Sequence, residues 1–245
     1  MWLVGDLLVP GPPALGRAFV WEPPSPGHRD EAFDSTVRVL VVPRLAGTDD
    51  SHRFPGDFSR YAAVITGTAP PQWKAPAPRM AVVRLDSDLF RNGDRIRVEG
   101  ATPRVELPDV TEVAVVTSFL EDPDGRILLL RRSKQVGTFQ GRWAGVSGFL
   151  EAGTAEAQAY TEIQEETGLT PGALHLERAG RIIYARDGRR IFSVHPFRFS
   201  TRSVKIRLDW EHSEAEWVDP TELARRDVVP KLDRVWESVR PDGNP

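Results

Sequence analysis

The 245-residue chain contains no cysteine. That removes disulfides, thiolate metal sites and thiol nucleophiles, so any metal must rest on oxygen or imidazole, while the redox compartment stays open. Long apolar runs are also missing. No stretch of about 18 apolar residues occurs, so no spanning helix is expected. The opening segment MWLVGDLLVPGPPALG is apolar, but it lacks a basic start, contains Asp6 and is broken at Pro10, Pro12 and Pro13, which argues against a secretory leader. A basic excess is absent too: 32 Lys and Arg face 35 Asp and Glu, a formal net charge of −3. Duplex nucleic acid is therefore not an expected partner, nor is a membrane, and a soluble cytoplasmic protein is the expectation.

What is present is the composition of a globular protein, 40% hydrophobic and 27% charged, at a length that suits two domains. The N-terminal part is rich in short β-type runs. These are Val37–Val42, Tyr61–Ile65 and Met80–Leu85, with proline-rich loops at 22–30 and 66–78. Beyond the polar turn Arg91-Asn92-Gly93-Asp94, the segments Arg95–Glu99 and Thr102–Leu107 alternate around Gly100 like a hairpin. Pro108 and Asp109 mark the expected seam, dividing residues 1–109, a smaller strand-rich β/α domain, from residues 110–245.

In the second part, Val113–Leu120 and Ile127–Leu130 flank the turn Glu121-Asp122-Pro123-Asp124-Gly125, which predicts a hairpin. Thr154–Thr167 is the clearest helix, with Thr154 suited to the N-cap and Gly168 to the left-handed position after the last turn. Arg181–Ala185 and Ile191–Ser200 form a further hairpin around Arg186-Asp187-Gly188-Arg189. Pro220–Arg226 and Pro230–Val239 read as helical, the latter with Leu232, Val235, Trp236 and Val239 on one face.

The chemistry concentrates on the first of these helices. Glu162, Glu165 and Glu166 stand at i, i+3 and i+4, so their carboxylates share one face. Unpaired, such a cluster destabilises the helix by a few tenths of a kcal/mol per pair, and Glu165 and Glu166 lie in the last turn, where the helix dipole disfavours anions. A hard divalent cation relieves both penalties, and carboxylate-bound Mg²⁺ or Mn²⁺ commonly partners substrate phosphates.

The stretch GFLEAGTAEAQAYTEIQEETGL (148–169) resembles the Nudix box: glycine, five residues, glutamate, seven residues, then R-E-U-x-E-E-x-G-U with U aliphatic. The run from Glu162 to Leu169 fits throughout, Gly148, Glu151 and Gly153 fit the preceding loop, and the flanks Gly125–Arg132 and Gly141-Arg142-Trp143 follow the family order. The resemblance covers roughly Val113 to Val239 and implies an α/β/α sandwich with a mixed sheet. It further implies a Nudix pyrophosphohydrolase that cleaves a phosphoanhydride in a nucleoside diphosphate linked to another moiety, with a nucleotide-derived small molecule as substrate. Mg²⁺ or Mn²⁺ would be held by Glu162, Glu165 and Glu166, assisted by a backbone carbonyl near Ser147 or Gly148. Many relatives dimerise, so a homodimer is an open expectation.

The pattern also departs from the family. Thr161 stands where the box has arginine, the glutamate expected after Gly153 is missing, and the glycine-to-arginine spacing is 13 positions instead of 14. A compensated deletion that loosens the placement of Glu162 is the reading, with a non-catalytic Nudix-fold nucleotide-binding or regulatory module as the alternative function. Outside the box, Glu214 and Glu211 are candidates for a further catalytic carboxylate, and His212 and His195 for a base or a substrate contact. Arg131, Arg132, Trp143 and Glu151 are the expected substrate-binding residues, the arginines because their guanidinium forks match phosphate oxygens. Tyr160, Trp210 and Trp217 are further stacking candidates.

Residues 36–107 resemble, in the placement of strands and turns, swivelling β/β/α domains. His52 lies in the loop after Gly47–Ser51, with no phosphocarrier motif around it, and the expected role is an accessory one.

Overall fold

The computed structural model describes residues 1–4, 6–9, 14–20, 37–42, 63–66, 81–91, 93–99, 101–102 and 104–241. The expected loops at 22–30 and from residue 67 to 78, the Gly47–Ser51 loop with His52, and Tyr61, Ala62, Met80, Asn92 and Gly100 lie outside the described residues. The chain divides into two compact units, residues 1–111 with 188–190, and residues 112–187 with 191–245.

The first unit is built on a mixed sheet of eight strands. They are β1 (Trp2–Val4), β2 (Asp6–Val9), β3 (Ala14–Val20), β4 (Val37–Val42), β5 (Ala63–Thr66), β6 (Ala81–Arg84), β7 (Arg95–Val98) and β8 (Arg104–Glu106), in the order β1-β8-β7-β3-β4-β5-β6-β2. The run β3 to β6 is parallel, and all four residues of β5 are buried, as a parallel strand covered on both faces requires. The expected hairpin is the antiparallel pair β7 and β8, with Val98 opposite Val105. The first three strands escape the sequence reading because glycines and prolines interrupt their apolar pattern.

In the second unit, two adjacent apolar residues on one strand repeatedly face opposite ways. The elements are β9 (Thr111–Glu121), β10 (Ile127–Arg132), β11 (Trp143–Ala144), β12 (Val146–Phe149), α1 (Ala155–Thr167), β13 (Leu174–Ala179), β14 (Ile183–Asp187), β15 (Arg190–Thr201), β16 (His212–Val218) and α2 (Leu232–Glu237). Leu120, Leu128 and Leu130 pack with Ala159 and Ile163 of α1, whereas Phe119, Ile127 and Leu129 pack with Leu232, Val235 and Trp236 of α2. Period-two alternation with both faces apolar places a helix on each side, so the expected α/β/α sandwich is what forms. A buried aliphatic such as Ile163, truncated to Ala, costs about 2–5 kcal/mol. The T-shaped pair Phe119–Trp236, with centroids 5.2 Å apart, closes the α2 side.

The helix ends follow the sequence. Thr154 caps α1 by accepting the Ala157 N–H at 3.1 Å, and Gly168, at φ +74°, donates its N–H to the Gln164 carbonyl. Pro220–Arg225 is a 3-10 segment rather than an α-helix, and α2 is shorter than expected, although its apolar face is buried as read.

The expected hairpin at 113–130 is only partly realised. The turn forms with Gly125 at φ +78°, yet β10 meets β9 only at Ile127 opposite Glu121. Beyond that point β12 pairs with β9, setting Ser147 opposite Thr117 and Gly148 opposite Val116, while β10 pairs with β16. This divergence places the glycine loop of the box beside the middle of β9, directly before α1.

Candidate active site

A cleft of about 330 Å³ opens over this point. Its lining joins Ser147, Gly148, Glu151, Glu162, Glu165 and Glu211 with the apolar side chains of Val115, Phe139, Phe192 and Val194. Glu162 is half-buried. Its carboxyl lies across Gly148 so closely that a Cβ there would sit 1.9 Å from Cδ, which explains why only glycine fits. Gln158, one turn earlier, donates from Nε2 to Glu162 Oε1 at 2.7 Å. The expected loosening of Glu162 is thus not seen, because an i,i+4 amide and the glycine cradle hold it.

Glu165 is exposed at the cleft, and Glu166 is buried beneath it, 3% exposed. The Ser147 N–H is shared between both Glu166 oxygens at 3.3 Å. Burial pushes the Glu166 carboxyl well above the usual carboxylate range, and Glu162, Asp209 and Glu211 push it further, against the pull of the Ser147 N–H. Glu162 is also raised, chiefly by burial and then by Glu165, Glu211 and Glu151, with the Gln158 hydrogen bond opposing.

The cleft therefore gathers the carboxylates of Glu151, Glu162, Glu165 and Glu211, with Arg132 and Arg186 also in its lining. Among the described residues, no three acidic or histidine side chains converge into a closed metal cage. The donor set is nonetheless all hard oxygen, Gly148 puts no side chain between its own backbone and the Glu162 carboxyl, and exposed Glu165 has rotamer freedom to turn inward. These residues fit a hard divalent cation.

The remaining expectations divide. Arg132, whose Nε–H donates to the Thr138 carbonyl at 2.9 Å, and Glu151 line the cleft. Arg131, Glu214 and Trp143 are not among its lining residues. Arg131 pairs with Glu214 at 2.7 Å across β10 and β16. The reason is a register shift between Arg131 and Arg132 that leaves Ser213 unpaired; a bulge of this kind re-aims side chains, so Glu211, ahead of the strand, reaches the cleft and Glu214 does not. Trp143 packs into the α2-side core beneath the Arg226 guanidinium, 5.4 Å above its ring. Tyr160 packs edge-on against Phe199 in the core, Trp217 donates to the Val204 carbonyl, and Trp210 is 60% exposed.

Sequence reasoning missed Phe139, Phe149 and Phe192. Phe149 is 62% exposed beside Gly148, and Phe139 adopts φ +52°. Phe139 lies in a loop, Phe149 ends the short β12 and Phe192 is one of many apolar residues in β15, so nothing in the sequence singles them out and only the folded cleft reveals them.

A protein-family scan matches the NUDIX domain over residues 111–238. Among solved structures, similarity extends to the MutT protein from Methanosarcina mazei Go1, at 21% identity and TM-score 0.46, covering 53% of this chain and 93% of that one. The C. elegans Ap4A hydrolase matches at 18% identity and TM-score 0.43, covering 53% and 94% of the two chains. The NUDIX domain of Shewanella oneidensis NrtR, complexed with ADP ribose, matches at 15% identity and TM-score 0.42, covering 52% and 86%. A search of curated protein sequences gave no match. Because the matched stretch takes up more than half of the chain and contains both the glycine loop and the acidic helix, the protein belongs to the NUDIX domain family.

Proposed function

We propose that the protein is a Mg²⁺- or Mn²⁺-dependent hydrolase that cleaves the phosphoanhydride of a nucleoside diphosphate linked to another group, yielding a nucleoside monophosphate and a second phosphorylated product. The observation that carries this reading is the packing of Glu162 against Gly148 in a cleft lined by carboxylates together with apolar side chains. A metal-bound diphosphate among the carboxylates and a ring against the apolar side chains match that lining.

Glu162, Glu165 and Glu166, with a carbonyl near Gly148, would hold the ion. When bound, it supplies charge neutralisation at the phosphates and lowers the proton affinity of water. Arg132 offers a fixed guanidinium at the cleft wall for phosphate oxygens. Glu211 replaces Glu214 as the carboxylate outside the box, placed to accept the proton of the attacking water. Residues 1–109 serve as an accessory domain in this reading.

The test is nucleoside monophosphate release from a panel of nucleoside diphosphate derivatives, with and without Mg²⁺. Metal-dependent release supports the hydrolase. Tight binding of the same compounds without turnover supports the alternative, a binding or regulatory module, which the substitution at Thr161 and the missing box glutamate favour.

A further inference from the structure

Phe139 sits in a conformation that its own side chain disfavours. At φ +52° it occupies the left-handed region, which bulky residues rarely adopt, whereas Gly141, at φ +75° in the same loop, takes it freely. Packing does not offset this. The half-buried ring belongs to neither the α1-side nor the α2-side core, and among the described residues no ring contact involves it, while Phe192 packs against the α2-side core. The place of Phe139 is in the lining of the cleft, with Arg132, Thr138, Phe192 and Val194.

The strained backbone is held from several sides. The Arg132 Nε–H donates to the Thr138 carbonyl at 2.9 Å, and the Arg142 N–H donates to the Phe139 carbonyl at 3.2 Å. The Arg132 N–H and carbonyl pair with the Arg142 carbonyl and the Gly141 N–H, both at 2.9 Å. Gln140 Nε2 closes the loop on the Lys134 and Val136 carbonyls at 3.0 and 2.8 Å. Such strain persists where neighbours over-determine the conformation, as they do here. Because the guanidinium that pins Thr138 is also in the cleft lining, one short segment fixes both a cation for phosphate and the ring of Phe139.

We infer that Phe139 is the specificity-determining residue of the cleft: its ring is the stacking wall for the nucleobase of the substrate, presented there by a backbone conformation that the loop hydrogen bonds enforce. This deepens the proposed function and rests on its nucleotide substrate. At about 330 Å³ the cleft stands near the lower end of ligand pockets, roughly 300–1,000 Å³, which suits one ring system rather than two. Every base has a π-face, so an aromatic wall selects a base over no base, not one base over another.

The test separates the ring of the ligand from its phosphate. Binding of AMP, GMP, CMP and UMP, with ribose 5-phosphate as the ring-free control, is measured by titration calorimetry with Mg²⁺ present, on the full chain of wild type, Phe139→Gly and Phe139→Tyr, alongside thermal melts. Wild type is expected to bind the mononucleotides about tenfold or more tightly than ribose 5-phosphate, and Phe139→Tyr to keep that ratio. Phe139→Gly should lose roughly fivefold or more of the ratio, with its ribose 5-phosphate affinity and its Tm near those of wild type, because glycine relieves the strain and no core contact is lost. An unchanged ratio in Phe139→Gly overturns the inference, as does a wild type that binds mononucleotides no better than ribose 5-phosphate. A Phe139→Gly chain that does not fold, or melts far below wild type, makes the ring a packing group and overturns it too. Nucleoside monophosphate release is scored separately: its absence in a wild type that shows the ring preference refutes the hydrolase and leaves the role of Phe139 standing, whereas release with an unchanged ratio in Phe139→Gly does the reverse.

Discussion

The carboxyl of Glu162 occupies the volume that any side chain at residue 148 would need, with Cδ 1.9 Å and Oε1 2.0 Å from where a Cβ would stand. The close approach ties the glycine of the box to its first metal-facing glutamate, and it makes one methyl group a probe of the site.

Gly148→Ala should push Glu162 off the loop. Overpacking of this kind costs about 1–3 kcal/mol, so the fold should survive with a lowered Tm. Turnover should fall much more than stability, by roughly 100-fold, because displacement by about 1 Å is enough to spoil a reacting geometry. Thermal melts and kcat on the same preparation check this; near wild-type kcat would show that the contact is incidental.

Thr161→Arg restores the box residue without restoring the missing glutamate after Gly153. Thr161 is exposed, and Glu162 already has Gln158 and Gly148 as partners, so the new guanidinium would extend into solvent. No gain in kcat/KM beyond about twofold, the scale of surface substitutions, is expected. A large gain would show that the lost arginine limits the enzyme.

Much of this arrangement was legible in the sequence. The cap Thr154, the stop at Gly168 and the i, i+3, i+4 carboxylates are local, and local signals survive without tertiary information. What the sequence left open depends on register. Glu211 and Glu214 look alike in a string of residues, and only the slip between Arg131 and Arg132 sends one to the cleft and the other to an ion pair. Trp143 was similarly ambiguous until its bridge to Val228 placed it in the core. The strand β12 was hidden because its residues read as the loop of the box.

Glu166→Gln should separate stability from function. A buried carboxylate with Glu162, Asp209 and Glu211 near it is destabilising when charged, whereas the amide keeps an oxygen for the Ser147 N–H. Near neutral pH without metal, the variant should melt at or above the wild-type temperature. Added Mn²⁺ should raise the Tm of wild type and leave the variant unmoved. A variant that is equally stabilised by Mn²⁺ would remove Glu166 from the ligand set.

Asp122 anchors the turn after β9. Its oxygens accept the N–H groups of Asp124 and Arg126 and the Arg126 guanidinium. Burial pushes this carboxyl upward, but the hydrogen bonds led by the Arg126 N–H win and hold it below the usual carboxylate range. A carboxyl lowered in the folded state contributes stability above its unfolded pKa, about 4, and loses it as the pH falls through the lower folded value. Asp122→Ala should cost about 1–3 kcal/mol at neutral pH and weaken the acid limb of the stability profile. An unchanged profile from pH 2 to 5 would contradict this role.

The most direct test of the account compares wild type and Glu165→Gln on the same nucleoside diphosphate derivatives with Mg²⁺ present, following nucleoside monophosphate release. Predicted is metal-dependent turnover in wild type and its loss by at least about 100-fold in a variant whose circular dichroism and Tm match wild type. Equal rates in the two proteins would contradict the assignment of the acidic helix as the hydrolytic centre.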